Sequence, residues 1–127
     1  MSFKIGDSGI ILTSKDVRQV QLAKSAIKAG ILTLLEHAGN PEIDTLYIAG
    51  GFGSYINVKN AVKIGLLPDG IAEKTKILGN AAAMGASLIL FSQDELNQSD
   101  SIANTAKTVE LSGSSSFMDY YVENMMF

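Results

Sequence analysis

The sequence predicts an α/β fold with a mostly parallel sheet flanked by helices. Short apolar segments of strand composition alternate with longer segments in which apolar residues recur every three or four positions. Strands that alternate with helices in this way favour a parallel sheet. At 127 residues the chain forms one domain at most. Because both ends are apolar, we expect residues 1–127 to be a single lobe and a fragment of a longer protein.

The N-terminal part predicts a strand followed by a long helix. Residues 9–13 (GIILT) have strand composition, and Thr13 and Ser14 then offer a helix N-cap, with Asp16 in the first turn where the helix dipole favours an anion. Apolar residues recur at steps of three and four until Gly39 ends the pattern, which predicts a helix that buries one apolar face. That face consists of Val17, Val20, Ala23, Ile27, Ile31, Leu34 and Ala38.

The middle of the chain predicts two more strands, each followed by a helix. Residues 45–49 (TLYIA) are wholly apolar, which is typical of a strand buried on both faces of a sheet. Asn57 then caps a short helix. Residues 76–78 have strand composition, and Asn80 begins an alanine-rich helix that continues to about residue 90.

The C-terminal part is more polar at first. Residues 92–106 predict a loop or a weak helix, and residues 107–111 (KTVEL) predict a final strand. Residues 114–126 predict an amphipathic terminal helix, because their aromatic and methionine side chains recur every four positions.

Composition excludes several classes of function. The chain has no cysteine and one histidine, so disulfides, iron–sulfur clusters and thiolate metal sites are excluded within it. The net charge of −3 and the scattered lysines and arginines give no surface for nucleic acid. No apolar run is long enough to cross a membrane, and no secretion signal begins the chain. We therefore expect a soluble, cytoplasmic protein with no membrane or nucleic-acid partner.

Three glycines in four positions follow the predicted strand at residues 45–49, in the sequence YIAGGFGSY. The carboxyl end of a strand is where open α/β sheets bind their ligands. The spacing fits neither GxGxxG nor GxxxxGK[ST], so phosphate cradling is unsupported, and contact with the base and sugar of a nucleotide fits better. The alternative is a tight turn without a ligand. The candidate residues are Gly50, Gly51, Phe52, Gly53 and Ser54.

Two further segments are candidates. Gly79 and Asn80 precede a helix whose first two turns carry almost no side-chain bulk, which suits either a hinge or close packing on a neighbouring helix. Lys24, with Gln21 one turn before it on the long helix, would matter only if that helix runs beside the glycine loop. The alternative for Lys24 is a solvated helix face.

Three segments together resemble the C-terminal lobe of the ATP-dependent reductive activators of corrinoid proteins. They are ILTSKDVRQVQLAKSAIKAGILTLL, IDTLYIAGGFGSYINVKNAVKIGLLP and KILGNAAAMGASLILFS, and the resemblance spans about residues 10–125. It implies a ribonuclease-H-like lobe of the superfamily that contains actin, sugar kinases and heat-shock chaperone ATPases.

The resemblance also assigns the candidate residues. The superfamily's adenosine motif is a strand that ends in paired glycines, matched by residues 50–54. Its connecting helix is matched by the segment that begins at Gly79 and Asn80. The Glu-x-x-Lys that flanks adenine in the chaperone ATPases is matched by QLAK, with Gln21 in place of the acid and Lys24 in place of the lysine.

Some parts of the family's machinery are not found. The superfamily grips β- and γ-phosphates with Asp-x-Gly hairpins, and GDSG at residues 6–9 is similar, but no strand is predicted before it, so we do not assign it. The cysteines that hold a [2Fe–2S] cluster in the activators are absent. The cluster is therefore expected only in the N-terminal region of a full-length protein.

These resemblances imply the adenosine-side half of an ATP site. In a full-length protein, ATP with Mg²⁺ would drive the reduction of Co(II) to Co(I) in a corrinoid protein or methyltransferase client. No catalytic residue is assigned to this chain, and we expect it to be inactive alone. Two alternatives stay open: a non-catalytic dimerisation or interaction module that uses FMDYYVENMMF, and a self-contained α/β nucleotide-binding domain.

Overall fold

The computed structural model describes residues 2–127 and contains both strand pairs and helices. Two single turns of 3₁₀ helix lie at Gly53–Tyr55 and Ala72–Lys74. None of the helices within residues 2–127 has the length and apolar character to cross a membrane. In chain order the elements are β1 (Ser2–Lys4), β2 (Ile11–Thr13), α1 (Ser14–His37), β3 (Leu46–Ala49), α2 (Val58–Lys63), β4 (Thr75–Gly79), α3 (Ala81–Phe91), α4 (Gln93–Thr105) and α5 (Ser115–Glu123).

The strands form two pairs. β1 and β2 are antiparallel, with Ser2 opposite Thr13. β3 and β4 are parallel, and α2 lies in the connection between them. Leu46 is opposite Thr75 and Ala49 is opposite Gly79, so the carboxyl ends of both strands lie at the same edge.

The strand β1 is a correction to the prediction that no strand precedes GDSG. β1 pairs with β2, and residues 6–9 lie in the hairpin between them. A strand of three residues is too short to show an alternation of apolar and polar side chains. The pairing with β2 therefore identifies β1, which the sequence pattern alone did not.

The helix α1 begins where its cap predicts. The Asp16 amide donates to the Thr13 hydroxyl at 3.2 Å, and the Thr13 amide donates to the Asp16 carboxylate at 2.8 Å. These reciprocal bonds satisfy two amides that have no partner inside the helix. At the other end α1 stops at His37, and Gly39 takes the left-handed conformation with a φ of 83°.

The predicted apolar face of α1 is buried only in part, because Ile31 packs on the core from it. Val20 and Leu34 on the predicted face are each nearly half exposed. α5 packs on the opposite side, where the Ser25 hydroxyl donates to the Tyr121 carbonyl. Apart from Lys24, the buried residues of α1 have small side chains, so the packing of α5 buries a second side of the helix that the apolar pattern did not indicate. The buried residues of α1 are Lys24, Ser25, Ala29 and Thr33.

The apolar core lies between α1, β3 and α2. It covers only one side of β3, because Tyr47 on the other side remains 57% exposed. The prediction of a strand buried on both faces was therefore wrong. The core consists of Ala61, Leu67 and Ile71, packed against the partly buried Ile31, Ile43, Leu46, Ile48, Ile56, Val58, Val62 and Leu66.

Two predictions in the C-terminal part are corrected or sharpened. Residues 92–106, predicted as a loop or weak helix, contain α4, which Ser92 caps by accepting from the Glu95 amide. Residues 107–111 form no strand, because no strand in residues 2–127 pairs with them. A strand composition gives a strand only where a neighbour supplies the ladder of hydrogen bonds.

Candidate functional site

The two glycine segments singled out in the sequence meet in the structure. The Gly50 amide donates to the Gly79 carbonyl at 2.7 Å, where β3 and β4 end side by side. Residues 50–54 and the start of α3 therefore share the carboxyl edge of the parallel strand pair. That edge is the usual ligand position in open α/β sheets.

The three glycines of the loop serve different purposes. Gly50 has a φ of 92°, a left-handed conformation that side chains rarely adopt. Gly53 is buried, and a Cβ placed there would lie 2.4 Å from the Cγ2 methyl of Ile48. Gly51 has an ordinary φ, and nothing lies within 4 Å of the position of its Cβ. A turn accounts for Gly50 and close packing accounts for Gly53, but neither requires a glycine at position 51.

The loop is held in place by its own hydrogen bonds. The Ser54 amide and hydroxyl both donate to the Gly50 carbonyl, at 3.1 Å and 2.8 Å. The aromatic rings that follow are directed to solvent, with Phe52 81% exposed and Tyr55 93% exposed. The loop thus presents bare main chain at Gly51 together with two exposed rings.

Asn80 starts α3 at the same edge. Its side-chain carbonyl accepts from the Ala83 amide at 3.1 Å, which confirms the predicted cap. The first three residues of α3 are alanines, so the start of this helix carries little side-chain bulk.

Lys24 does not lie on a solvated face. Only 2% of the residue is exposed, and its amine donates to the carbonyls of Asn124 at 2.7 Å and Met126 at 2.5 Å. The Phe127 ring centroid lies 4.9 Å from the same amine. Burial lowers the pKa of Lys24, and the nearby positive charge of Lys28 lowers it further.

Gln21 lies beside the same C-terminal segment. It lines a groove of about 250 Å³ together with Arg18, Leu22, Met125 and Met126. Within residues 2–127, the hydrogen bonds of Lys24 go to this segment and not to the glycine loop. The structure therefore groups residues 50–54 with Gly79 and Asn80, and groups Gln21 with Lys24.

A tight hairpin at residues 6–9 connects β1 and β2. Gly6 and Gly9 have φ values of 47° and 74°. Ser8 ties the turn together, because its hydroxyl donates to the Ile5 carbonyl at 2.6 Å and accepts from the Ile10 amide at 3.2 Å. Asp7 is exposed at this turn, immediately before β2 and α1.

Residues 2–127 match the family described as the C-terminal domain of RACo, the ASKHA domain. The chain belongs to this family. The resemblance to the reductive activators of corrinoid proteins is thereby confirmed, and so is the predicted α/β fold with parallel strands and flanking helices.

Full-length relatives of this ASKHA domain carry descriptive names. The chain is 42% identical over 120 residues to the corrinoid activation enzyme RamQ of Eubacterium limosum, covering 93% of this chain and 20% of that protein. It is 29% identical over 118 residues to the [Co(II) methylated amine-specific corrinoid protein] reductase of Methanosarcina barkeri, covering 90% of this chain and 22% of that protein.

A solved structure agrees with this ASKHA assignment. A reductive activator for corrinoid, iron–sulfur protein matches with a TM-score of 0.80 and 39% identity, covering 91% of this chain and 19% of that one. The chain thus spans about one fifth of the length of the relatives it matches.

Proposed function

We propose that the chain forms the adenosine-side half of the ATP site of a reductive activator of corrinoid proteins. The observation that carries the proposal is Gly51, whose open main chain lies at the ligand edge of the parallel strands with no packing or turn requirement for a glycine. The names of the relatives, which concern corrinoid activation and reduction, support the wider role.

The residues at this edge suit a purine nucleoside. A flat base can lie on bare main chain at Gly51, where a side chain would hold it away. Phe52 offers an exposed ring for stacking, and Asn80 and Ser54 add polar groups for the sugar. Gly79 keeps the backbone of β4 against that of Gly50. Gln21 and Lys24 remain proposed contacts on the strength of the resemblance alone.

The hairpin at residues 6–9 is proposed as this lobe's grip on the phosphates. The sequence predicted no strand before this hairpin, but β1 precedes it and pairs with β2. Its Asp7 carboxylate would face the Mg²⁺ that accompanies ATP, since Mg²⁺ prefers carboxylate and phosphate oxygens. Residues 2–127 contain no group of three acidic or histidine side chains that could hold a metal ion. The phosphates of the nucleotide would therefore supply part of the Mg²⁺ coordination.

In the full-length protein, closure on ATP would accompany the uphill reduction of Co(II) to Co(I) in a corrinoid protein or methyltransferase client. The electron would come from a [2Fe–2S] cluster outside this chain, which has no cysteine to hold one. We propose that the chain alone binds adenine nucleotides weakly and hydrolyses none. One wall of a cleft cannot exclude water from the phosphates or position them. The proposed setting is the cytoplasm.

A calorimetric titration of ATP tests the proposed site. Gly51→Val places a branched side chain on the open main chain and should weaken binding at least about tenfold, equivalent to about 1.4 kcal/mol. Gly113→Val is the matched control, because Gly113 also has an ordinary φ and open space around it but lies in a different loop. Equal binding by the Gly51 and Gly113 variants would remove the loop from the site.

A dimerisation module is the second candidate, favoured by the exposed apolar side of α3. Met84, Leu88 and Phe91 line an open groove of about 620 Å³, and Phe91 is 85% exposed. Sedimentation at two protein concentrations tests this function. Self-association that Leu88→Glu abolishes would support the module, whereas a monomer at both concentrations would exclude it.

A further inference from the structure

We propose that the helical hairpin of α3 and α4, residues 81–105, docks a basic amphipathic helix of a partner protein. The apolar side chains of α3 would receive the apolar face of that helix, and the carboxylates of α4 would pair with its basic side chains. The observation behind the inference is an uncovered apolar helix beside a helix whose charges are all negative. This inference goes beyond the proposed nucleotide site and does not depend on it, because it uses no residue of the glycine loop.

The helix α3 has the composition of a buried helix but lacks a cover. All of its residues except Gly85 and Ser87 are apolar, and none of them is buried. Leu90, for example, is 76% exposed. Within residues 2–127, only α4 packs extensively on α3. A helix that is apolar on every side is normally buried against other elements, so the open sides of α3 are suited to an interface.

Two open grooves border α3, and Leu88 lines both of them. One has a volume of about 620 Å³ and includes Met84 and Phe91, and the other has a volume of about 580 Å³ and includes Ile89 and Ile102. Met84, Leu88 and Phe91 follow the i, i+4, i+7 spacing of one helix face. A helix rises 1.5 Å per residue, so α3 is about 16 Å long and can receive about three turns of a partner helix.

The rim of these grooves is acidic. Glu95 lines both grooves, and α4 also carries Asp94 and Asp100. Residues 81–105 contain no lysine or arginine, and none of the three carboxylates forms an ion pair within residues 2–127. The helix dipole accounts for acidic residues in the first turn of α4, but it does not account for the absence of basic residues from the whole hairpin. A helix with lysines or arginines beside its apolar stripe would complement both the apolar groove and its acidic rim.

A second copy of the chain fits this surface less well. In a symmetric dimer the same surface lies on both sides of the interface. The carboxylates of one α3–α4 hairpin would then face those of the other, and like charges across an interface are unfavourable. The charge of the hairpin therefore favours a basic partner over self-association through α3.

Fluorescence anisotropy with a labelled helical peptide tests the docking surface. The probe is a peptide of about 18 residues, long enough to form a helix, with leucines along one stripe and lysines beside that stripe. A matched peptide has glutamate in place of each lysine. The chain should bind the lysine peptide at least about tenfold more tightly than the glutamate peptide, and added salt should reduce this difference.

Two variants with matched controls locate the binding. Leu88→Ser removes the apolar side chain that both grooves share and should weaken binding at least about fivefold, whereas Val122→Ser, at a similarly exposed position on α5, should leave binding unchanged. Glu95→Lys should weaken binding of the lysine peptide about tenfold, whereas Glu123→Lys makes the same change on α5 and should have no effect. If Leu88→Ser does not fold by circular dichroism, Glu95→Lys decides the question, because Glu95 is exposed.

The contrary results identify the other occupants. Absence of binding to the lysine peptide, equal affinity for the two peptides, or equal affinity of the chain and Glu95→Lys overturns the basic helix. Self-association in sedimentation that Leu88→Ser abolishes, without peptide binding, makes a second copy the occupant and overturns the proposal. If this chain binds the lysine peptide but a longer form of the protein does not, the rest of that protein covers α3 and the separate partner is overturned.

Discussion

Gly53→Ala should destabilise the fold because its Cβ has no room. The added atom would lie 2.4 Å from the Ile48 Cγ2 methyl, about 1 Å short of the 3.4 Å at which ordinary contact begins. The neighbouring atom belongs to a β-branched side chain packed on the core, so it has little freedom to move. Overpacking of this kind costs about 1–3 kcal/mol. In a domain of this size the loss corresponds to about 3–12 °C in the melting temperature.

Thermal and urea unfolding of three variants measure the effect. Gly51→Ala is the matched control two residues away, and it should be neutral or slightly stabilising, because its Cβ meets nothing within 4 Å and its φ is ordinary. Ile48→Leu removes the Cγ2 methyl that obstructs a Cβ at position 53, because leucine branches one carbon further out. The double variant should therefore recover much of the stability that Gly53→Ala loses. Equal unfolding midpoints for the Gly51 and Gly53 variants would refute the reasoning, since both glycines would then serve the same purpose.

Two further predictions concern helix caps. Asn80→Ala should lower the free energy of unfolding by about 1 kcal/mol, because the Ala83 amide loses its acceptor. Asn80→Asp should keep the cap. Equal urea unfolding midpoints for the two variants would contradict this prediction. Two hydrogen bonds lower the pKa of the Asp16 carboxyl below its ordinary value of 3.8: the larger effect comes from the Thr13 hydroxyl and the smaller one from the Thr13 amide. The cap should therefore persist above pH 3.8 and be lost as the pH falls through that lowered value. An NMR titration should show the Asp16 pKa rising in Thr13→Val, and an unchanged pKa would be the contrary result.

Local sequence signals predicted the elements whose determinants lie within a few residues. The capping groups at Thr13, Asn57 and Asn80 each start a helix in the structure. They were predictable because a side chain and the amide that it caps are three positions apart. The same holds for the left-handed Gly39, which ends α1.

Side-chain burial and strand pairing were less accessible to sequence reasoning. The apolar pattern of α1 predicted one buried face, from which Ile31 packs on the core, but it did not predict the second buried side, where α5 packs on Ser25. Residues 107–111 have strand composition but no pairing neighbour among the described residues. Both outcomes depend on elements far away in the sequence, and no local pattern contains them.

The sequence by itself determined the α/β class, the starts of α1, α2 and α3, and the position of the glycine loop, residues 50–54, directly after β3. Only the tertiary structure decided that Gly50 meets Gly79, that Ile48 fills the space beside Gly53, and that residues 124–127 cover Lys24. The physical reason is the separation of the interacting residues along the chain. Helix caps and turns depend on hydrogen bonds between residues a few positions apart, whereas these contacts depend on which distant segments the packed core holds together.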